Sequence, residues 1–256
     1  MKKNKLIQNI ININFNALEG HIPSALSILD ILDVVYGKIL NLKLIKKKSS
    51  NRDFFILSKG HGCLSLYVVL YKYNLLSKKD LLSFCKFNSR LGGHPDSTKN
   101  EFIEASTGSL GHGLPMSLGI AFGKKIKKLK GKVITLIGDG ECNEGSIWES
   151  AMLASHHKID NLICIVDHNK STNRSLMIDD LSNKFRAFNW DTYVVDGHNQ
   201  NKILNLLKKK QNKPVAIIAN TIKGKGIGFM ENNPEWHHKN IDSETRKKIF
   251  KDLKFL

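Results

Sequence analysis

The stretch GDGECNEGSIWESAMLASHHKIDNLICIVDHN, residues 138–169, decides the fold of this chain. It follows KVITLI at 132–137, a short β-branched run that predicts a buried strand ending at Gly138. The apolar run at 161–167 predicts a second strand, and the residues at 144–157 between the two strands predict a helix. Strand, helix and strand over about thirty residues fit one right-handed crossover unit, in which the two strands are parallel.

The helix between these strands has the apolar spacing of a half-buried helix. Ile147, Ala151 and Ala154 recur at helical intervals, and Met152 lies beside them in the sequence. We therefore expect these four side chains to lie on or near one helical face.

An oxygen ligand follows each of the two strands. Asp139 comes after the first and Asn169 after the second, and the carboxyl ends of parallel strands share one ligand-binding edge of the sheet. Carboxylate and amide oxygens suit a hard cation such as Mg²⁺ that keeps room for phosphate oxygens. Gly138 and Gly140 allow close approach of the backbone to an anion, and the next helix offers free N–H groups. A Gly-Asp-Gly triplet alone is more often a simple turn, but the strand context predicts a magnesium diphosphate site.

Length and composition limit the remaining possibilities. The chain has 256 residues, enough for one large α/β domain or two small ones, and no Pro/Gly/Ser-rich linker divides it. No apolar stretch reaches the ~18 residues of a membrane span, and residues 1–15 lack a signal cleavage site, so we interpret them as an amphipathic helix. Cys63, Cys85, Cys142 and Cys164 form no CxxC pair. This usage fits structural thiols in a reducing cytoplasm, where we expect the protein.

The chain is strongly basic, with a formal net charge of +17. Only five of its 40 basic residues are Arg, and the lysines cluster at 43–48, 124–132 and 202–213, where helix ends and surface loops are expected. A nucleic-acid module would need Arg-rich or aromatic-interleaved basic stripes, which the sequence lacks. We therefore expect solvated lysines and no nucleic-acid partner. The charge still favours the approach of phosphorylated sugars.

Several histidines lie beside glycine or at the edge of a predicted element. They are His21, His61, His94 and His237, and imidazoles suit a site that holds phosphate oxygens and moves protons near neutral pH. The glycine-rich segment 107–113 precedes another apolar helix. Alone it is either a phosphate-binding turn or a helix cap with Thr107 or Ser109 as the first residue.

Further apolar runs complete the predicted sheet. They indicate strands at 191–196 and 214–220, with one more near 54–57. Together with those at 132–137 and 161–167 they predict an α/β fold. We expect a mainly parallel sheet with helices on both faces, the four later strands in the order of the sequence, after a helical N-terminal third.

Ordered motifs along almost the whole chain resemble the N-terminal, diphosphate-binding portion of transketolase, in the form that is split into two polypeptides. The motifs are EGHIPSALSILDIL, RDFFILSKGHGCLSLY, LGGHPD, EASTGSLGHGLPMSLGIAFG, GDGECNEGSIWESAMLAS, NLICIVDHN and TIKGKGIGFMENNPEWHH. The resemblance implies a single thiamine-diphosphate-binding (diphosphate-domain) fold over residues 1–256. It also implies that the pyrimidine-binding and C-terminal domains lie on another chain.

The resemblance also implies roles for individual residues. Metal ligands would be Asp139, Asn169 and the carbonyl of Ser171. The cofactor-binding positions would be Asp139 and Asn169 together with His61, Gly108, Ser109, Leu110, Gly140, Glu144 and His237. The catalytic positions would be Glu144, His21, His94 and His237. In this pattern Glu144 links the aminopyrimidine to an activating glutamate of the partner domain, while His21 and His94 face the first carbons of the donor sugar. Ile22, His112 and His238 depart from the usual family residues.

The implied activity is ketol transfer with thiamine diphosphate and Mg²⁺, from a ketose phosphate to an aldose phosphate. It implies a C-terminal partner subunit in an assembly with two copies of each chain. The sequence motifs leave three alternatives open. They are a split transketolase-like enzyme for another sugar, such as a nucleotide-linked one, a deoxyxylulose-phosphate-synthase-like or 2-oxo acid dehydrogenase subunit, and a non-catalytic assembly subunit.

Overall fold

A parallel sheet of five strands runs through the computed structural model, which describes residues 1–253. The predicted strands are confirmed within one residue at each end. They are β1 Phe54–Leu57, β2 Val133–Gly138, β3 Leu162–His168, β4 Asp191–Asp196 and β5 Val215–Asn220.

The order of the strands across the sheet is β1-β2-β3-β5-β4. The expectation of sequence order is therefore wrong for the last two strands, because β5 lies between β3 and β4. Their composition explains the exchange. The first five residues of β5 are all buried, as a central strand requires, whereas β4 carries Asp191, Tyr193 and Val194 at positions that are exposed or half-buried.

Helices cover both faces of the sheet, as predicted. Because successive strand residues face opposite sides, Ile134 joins one hydrophobic cluster and Val133 the other. The first cluster includes helices α1, α2, α4 and α9, and the second includes α6, α7 and α8. The helices are α1 Lys3–Ala17, α2 Ile22–Val34, α3 Leu42–Lys46, α4 Cys63–Lys72, α5 Lys78–Leu82, α6 Gly113–Ile126, α7 Gly145–His156, α8 Leu181–Ala187, α9 Gln200–Lys208 and α10 Ser243–Asp252.

Helix α7 confirms the predicted crossover between β2 and β3. Ile147, Ala151 and Ala154 are fully buried, but Met152 does not share their face as expected, because it is 54% exposed. Each helical residue turns about 100° from the one before it, so the neighbour of a buried position points away from the core.

Two further expectations need correction. Neither Thr107 nor Ser109 caps α6, because the helix begins at Gly113 and the Thr107 hydroxyl instead donates to the carbonyl of Leu57. Lys124 is not solvated, since the residue is 4% exposed and its ammonium donates to the carbonyls of the loop before β1.

The other general expectations have these outcomes. All four cysteines are free thiols, three of them buried and Cys85 exposed. No helix in the described part of the chain is long and apolar enough to cross a membrane. The amphipathic helix expected at residues 1–15 forms as α1, and α10 is the last helix in the described part of the chain.

Candidate functional site

A cavity of about 490 Å³ opens at the carboxyl edge of the sheet. The loops after β1, β2, β3 and β5 meet there with the start of α2. A second cavity of about 650 Å³ adjoins it behind the loop after β3. The first cavity is lined by His21, Ser24, Lys59, His61, His94, Gly108, Leu110, Gly138, Asp139, Gly140, Glu141, Asn169, Ser171, Thr172, Lys223 and His237.

The structure brings the three predicted metal ligands together at this cavity. The Asp139 carboxylate accepts from the backbone N–H of Gly140 at 2.8 Å and of Lys170 at 2.6 Å, so it joins the loops after β2 and β3. The side-chain oxygen of Asn169 accepts from the N–H of Ser171 at 3.0 Å. The described residues contain no group of three or more His, Cys, Asp or Glu suited to a metal. A cation here would therefore need amide, carbonyl and ligand oxygens beside Asp139.

The electrostatics around Asp139 favour a cation. Burial raises the pKa of Asp139, the nearby Asp167 carboxylate raises it further, and the Lys59 ammonium lowers it. A bound divalent cation would oppose the first two effects and stabilise the ionised carboxylate.

Sequence reasoning missed a buried ion pair directly beneath this loop. The Lys59 ammonium contacts the Asp167 carboxylate, and Asp167 also accepts from the hydroxyl of Ser27 at 2.8 Å and from that of Thr221. Burial would raise the pKa of Asp167, but the charge of Lys59 and these hydrogen bonds hold it below its usual range. The signal in the sequence was a polar residue at the end of each of two buried strands.

Glu141 is a second missed residue. Its buried carboxylate accepts from the backbone N–H of Gly138 at 2.7 Å and of Gly111 at 3.0 Å, and from the Ser58 hydroxyl at 2.5 Å. It therefore ties the loop after β2 to the loops that follow β1 and precede α6. Burial raises the pKa of this carboxyl group.

Three of the predicted histidines form a cluster at the same cavity. The ring centroid of His21 lies 5.4 Å from that of His61, 5.2 Å from that of His237 and 4.6 Å from that of His238. Burial, with Lys59 nearby, lowers the pKa of His61 to about 2. Burial and the neighbouring histidines lower the pKa of His21 to about 4. Both rings are therefore neutral near pH 7, and each has one N–H donor.

His237 receives a hydrogen bond from a lysine. The ammonium of Lys223, which is largely buried, lies 2.7 Å from Nδ1 of His237. Burial and this charge lower the pKa of His237. Because Nδ1 accepts, the hydrogen of the neutral ring lies on Nε2 and is available as a donor.

His94 completes the set of predicted histidines at the cavity. Its ring lies against Gly60 and Gly108, where an added Cβ would come within 2.9 Å and 3.1 Å of Cδ2 of His94. Gly108 also has φ +150°, which L side chains rarely adopt. The glycines in both motifs therefore make room for this imidazole.

Two predicted residues do not line the cavity. Ser109 lies outside it, and Glu144 is exposed at the start of α7, although Gly108 and Leu110 do line the wall. An added Cβ on Gly111 would come 2.6 Å from Cβ of Glu144, so this glutamate packs beside the loop before α6. Leu110 is 44% exposed although it lines the wall, and Glu144 is exposed as well.

The cavity fits a polar, oxygen-bearing ligand. The hydroxyl of Ser24 and Nδ1 of His21 are buried without a hydrogen-bond partner among the described residues, and both residues line the wall. Buried polar atoms are rarely left without partners. Together with neutral imidazoles and the Lys223 ammonium, they suit a phosphate-bearing group bound through a cation. Fold and site together define a parallel α/β domain with a polar cavity at the carboxyl edge of its sheet.

Comparison with known proteins gives the family. Residues 7–255 match the family "Transketolase, thiamine diphosphate binding domain". The chain belongs to this family. It is 37% identical to one subunit of the apulose-4-phosphate transketolase of Actinobacillus succinogenes, over 99% of this chain and 95% of that protein.

Single-chain transketolases are also similar, over part of their length. The chain is 35% identical to human transketolase, over 98% of this chain but only 41% of the human protein. The crystal structure of transketolase from Campylobacter jejuni superposes with a TM-score of 0.83 at 28% identity, over 99% of this chain and 43% of that one. The chain thus spans about two fifths of these longer relatives.

Proposed function

We propose that this chain is the N-terminal subunit of a split transketolase that depends on thiamine diphosphate and Mg²⁺. The reaction transfers a two-carbon ketol unit from a ketose phosphate to an aldose phosphate. The observation that carries the proposal is the meeting of Asp139, Asn169 and Ser171 with two neutral histidines and Lys223 around one cavity. We place the activity in cytoplasmic carbohydrate metabolism, in the pentose phosphate pathway.

The residues divide into a metal side and a phosphate side. Asp139, Asn169 and the Ser171 carbonyl would hold Mg²⁺, whose remaining positions suit diphosphate oxygens. His61 and His237 donate N–H groups to those oxygens, and Gly140 lets the backbone approach them. In this arrangement the diphosphate would contact Mg²⁺, the N–H groups of two neutral histidines and the Lys223 ammonium.

The histidines nearer the mouth would act on the sugar. Thiamine diphosphate, when bound, would supply the nucleophilic carbon that this transfer needs. His21 is neutral at pH 7 and its Nδ1 has no partner among the described residues, so it can accept a proton from a sugar hydroxyl. His94, held against two glycines, faces the same space and would donate or accept the second proton.

A separate C-terminal subunit would complete the site. Glu144 and Leu110 are exposed beside the cavity, and Met152 and Leu153 are exposed farther along α7. Large exposed apolar side chains beside a site are typical of surfaces that bind a partner. We propose that they contact a pyrimidine-binding subunit in an assembly with two copies of each chain, in which Glu144 reaches an activating glutamate.

A direct test is reconstitution. The purified chain is mixed with a pyrimidine-binding transketolase subunit from the same organism, and transfer from xylulose 5-phosphate to ribose 5-phosphate is measured. We expect transfer only when both subunits, thiamine diphosphate and Mg²⁺ are present. Full transfer by this chain alone would contradict the split-subunit proposal.

A second donor is favoured by the comparisons. Two relatives that match over most of their own length, at 37% and 35% identity, are each named as one subunit of an apulose-4-phosphate transketolase. We therefore propose apulose 4-phosphate as an alternative ketose donor. Initial rates of the reconstituted pair with this donor and with xylulose 5-phosphate, at equal concentrations, decide between them.

A further inference from the structure

The side-chain amide of Asn169 can serve a cation in only one of its two orientations. Its oxygen can bind a metal ion, whereas its NH₂ group, turned to the same place, would repel one. The two orientations have nearly the same shape. The hydrogen-bonding neighbours of the amide must therefore select one of them.

Two neighbours select the same orientation. Nδ2 of Asn169 donates to Oδ2 of Asp167 at 2.9 Å, and Oδ1 of Asn169 accepts from the N–H of Ser171 at 3.0 Å. Turning the amide would set its oxygen against a carboxylate and its NH₂ against an N–H group. Of the two neighbours, the ionised Asp167 gives the stronger, charge-assisted hydrogen bond.

Asp167 is itself held from three other directions. It is fully buried near the end of β3, and it accepts from Lys59 after β1, from Ser27 on α2 and from Thr221 after β5. Lys59 is also buried, 1% exposed, so water does not compete for its contact with Asp167. The carboxylate therefore has a fixed position, and its hydrogen bond fixes the orientation of the Asn169 amide.

We propose that Asp167 is a positioning residue, which fixes the Asn169 amide with its oxygen toward the cation. The inference rests on the proposed function, since it assumes that a divalent cation binds beside Asn169. It assigns the Lys59–Asp167 pair a role beyond stability. Residues that orient metal ligands in this way typically change metal affinity 10–100-fold when they are mutated.

Two double variants isolate the hydrogen bond from the charge. Both Lys59→Met/Asp167→Asn and Lys59→Met/Asp167→Leu remove the ion pair and keep a side chain of similar size. Only the asparagine variant keeps an oxygen that can accept from Nδ2 of Asn169. Mn²⁺ binding to the full chain with thiamine diphosphate present is measured by electron paramagnetic resonance, and folding by circular dichroism.

We expect the leucine variant to bind Mn²⁺ at least about tenfold more weakly than the asparagine variant. Equal Mn²⁺ affinities of the two double variants would overturn the positioning role. The proposed function would still stand in that case, provided that the wild-type chain binds Mn²⁺. If the wild-type chain binds no Mn²⁺ with thiamine diphosphate, the proposed function and this inference both fail.

A single variant gives an independent test that keeps the ion pair. Asn169→Asp adds a carboxylate, which by itself strengthens Mn²⁺ binding, but it places that group against the Asp167 carboxylate and removes the donor. We expect affinity about tenfold below that of the wild type. Affinity equal to or above that of the wild type would overturn the inference.

Discussion

The Lys59 ammonium and the Asp167 carboxylate form an ion pair in which the side chains are 2% and 0% exposed. Lys59 lies two residues after β1, and Asp167 is the last residue but one of β3. Removing one partner of such a pair leaves an uncompensated buried charge. The pair therefore makes the stability of the fold depend on residues at the base of the site.

Lys59→Met should lower the free energy of unfolding by about 3–5 kcal/mol, because it leaves Asp167 buried and unpaired. The matched control is Lys125→Met, which removes an exposed partner of Asp160 and should cost less than about 1 kcal/mol. Urea unfolding at pH 7 measures both. Equal losses for the two variants would contradict the importance of the buried pair.

Gly140→Ala should separate binding from folding. A Cβ at Gly140 meets nothing closer than 3.7 Å, so we expect a free energy of unfolding within about 1 kcal/mol of the wild type. In the proposed site the methyl group would stand beside the diphosphate, so cofactor affinity should fall at least about tenfold. Calorimetric titration with thiamine diphosphate and Mg²⁺ measures this affinity.

The control for that substitution is Gly119→Ala on α6. Its Cβ would meet no atom within 4 Å, and alanine favours the helix, so stability should rise by up to about 1 kcal/mol with unchanged cofactor affinity. A loss of affinity in the control as well would indicate a general effect of substitution rather than an effect at the diphosphate position.

Acid should destabilise the fold through His61. Its pKa is about 2 in the folded chain against 6.5 for an ordinary histidine, so below pH 6.5 the unfolded chain binds one more proton. The free energy of unfolding therefore falls as the pH decreases, by at most about 1.4 kcal/mol per pH unit from this group. Urea titrations at pH 7 and pH 5 should show a larger loss for the wild type than for His61→Gln. Identical losses would contradict the neutral, buried state of His61.

Glu144→Gln should affect the assembled enzyme and not the isolated chain. Glu144 is exposed and outside the cavity, so cofactor affinity of this chain alone should change less than about threefold. In the reconstituted pair we expect at least about a tenfold loss of ketol transfer, within the range for groups that assist proton movement. Unchanged transfer would show that Glu144 does not connect the two subunits.

The features predicted from sequence are those encoded locally. The strands, the crossover helix and the meeting of Asp139 with Asn169 follow from periodicity and from the parallel arrangement of β2 and β3. The position of β5 between β3 and β4 does not follow from the same local patterns, because strand order depends on which strand needs to be covered on both faces. Met152 shows the same limit at the scale of one residue, since a helix turns by 100° between neighbours.

The buried network could not be predicted from sequence for a related reason. Lys59 and Asp167 are separated by 108 positions, and a lysine is ordinarily assigned to the surface. Nothing in the sequence around Glu141 distinguishes it from a glutamate at the surface, where this residue type is ordinarily found. Each of these residues acts by joining loops from distant parts of the chain, and only the folded structure shows which loops meet.

The central claim is that Asp139 and Asn169 anchor a metal through which thiamine diphosphate binds. The most direct measurement is calorimetric titration of thiamine diphosphate into the full-length chain, with Mg²⁺ and with a chelator, for the wild type and Asp139→Asn. We expect saturable binding by the wild type only with Mg²⁺, and affinity at least about tenfold weaker in the variant. Binding that is unaffected by the chelator or by the substitution would contradict the account.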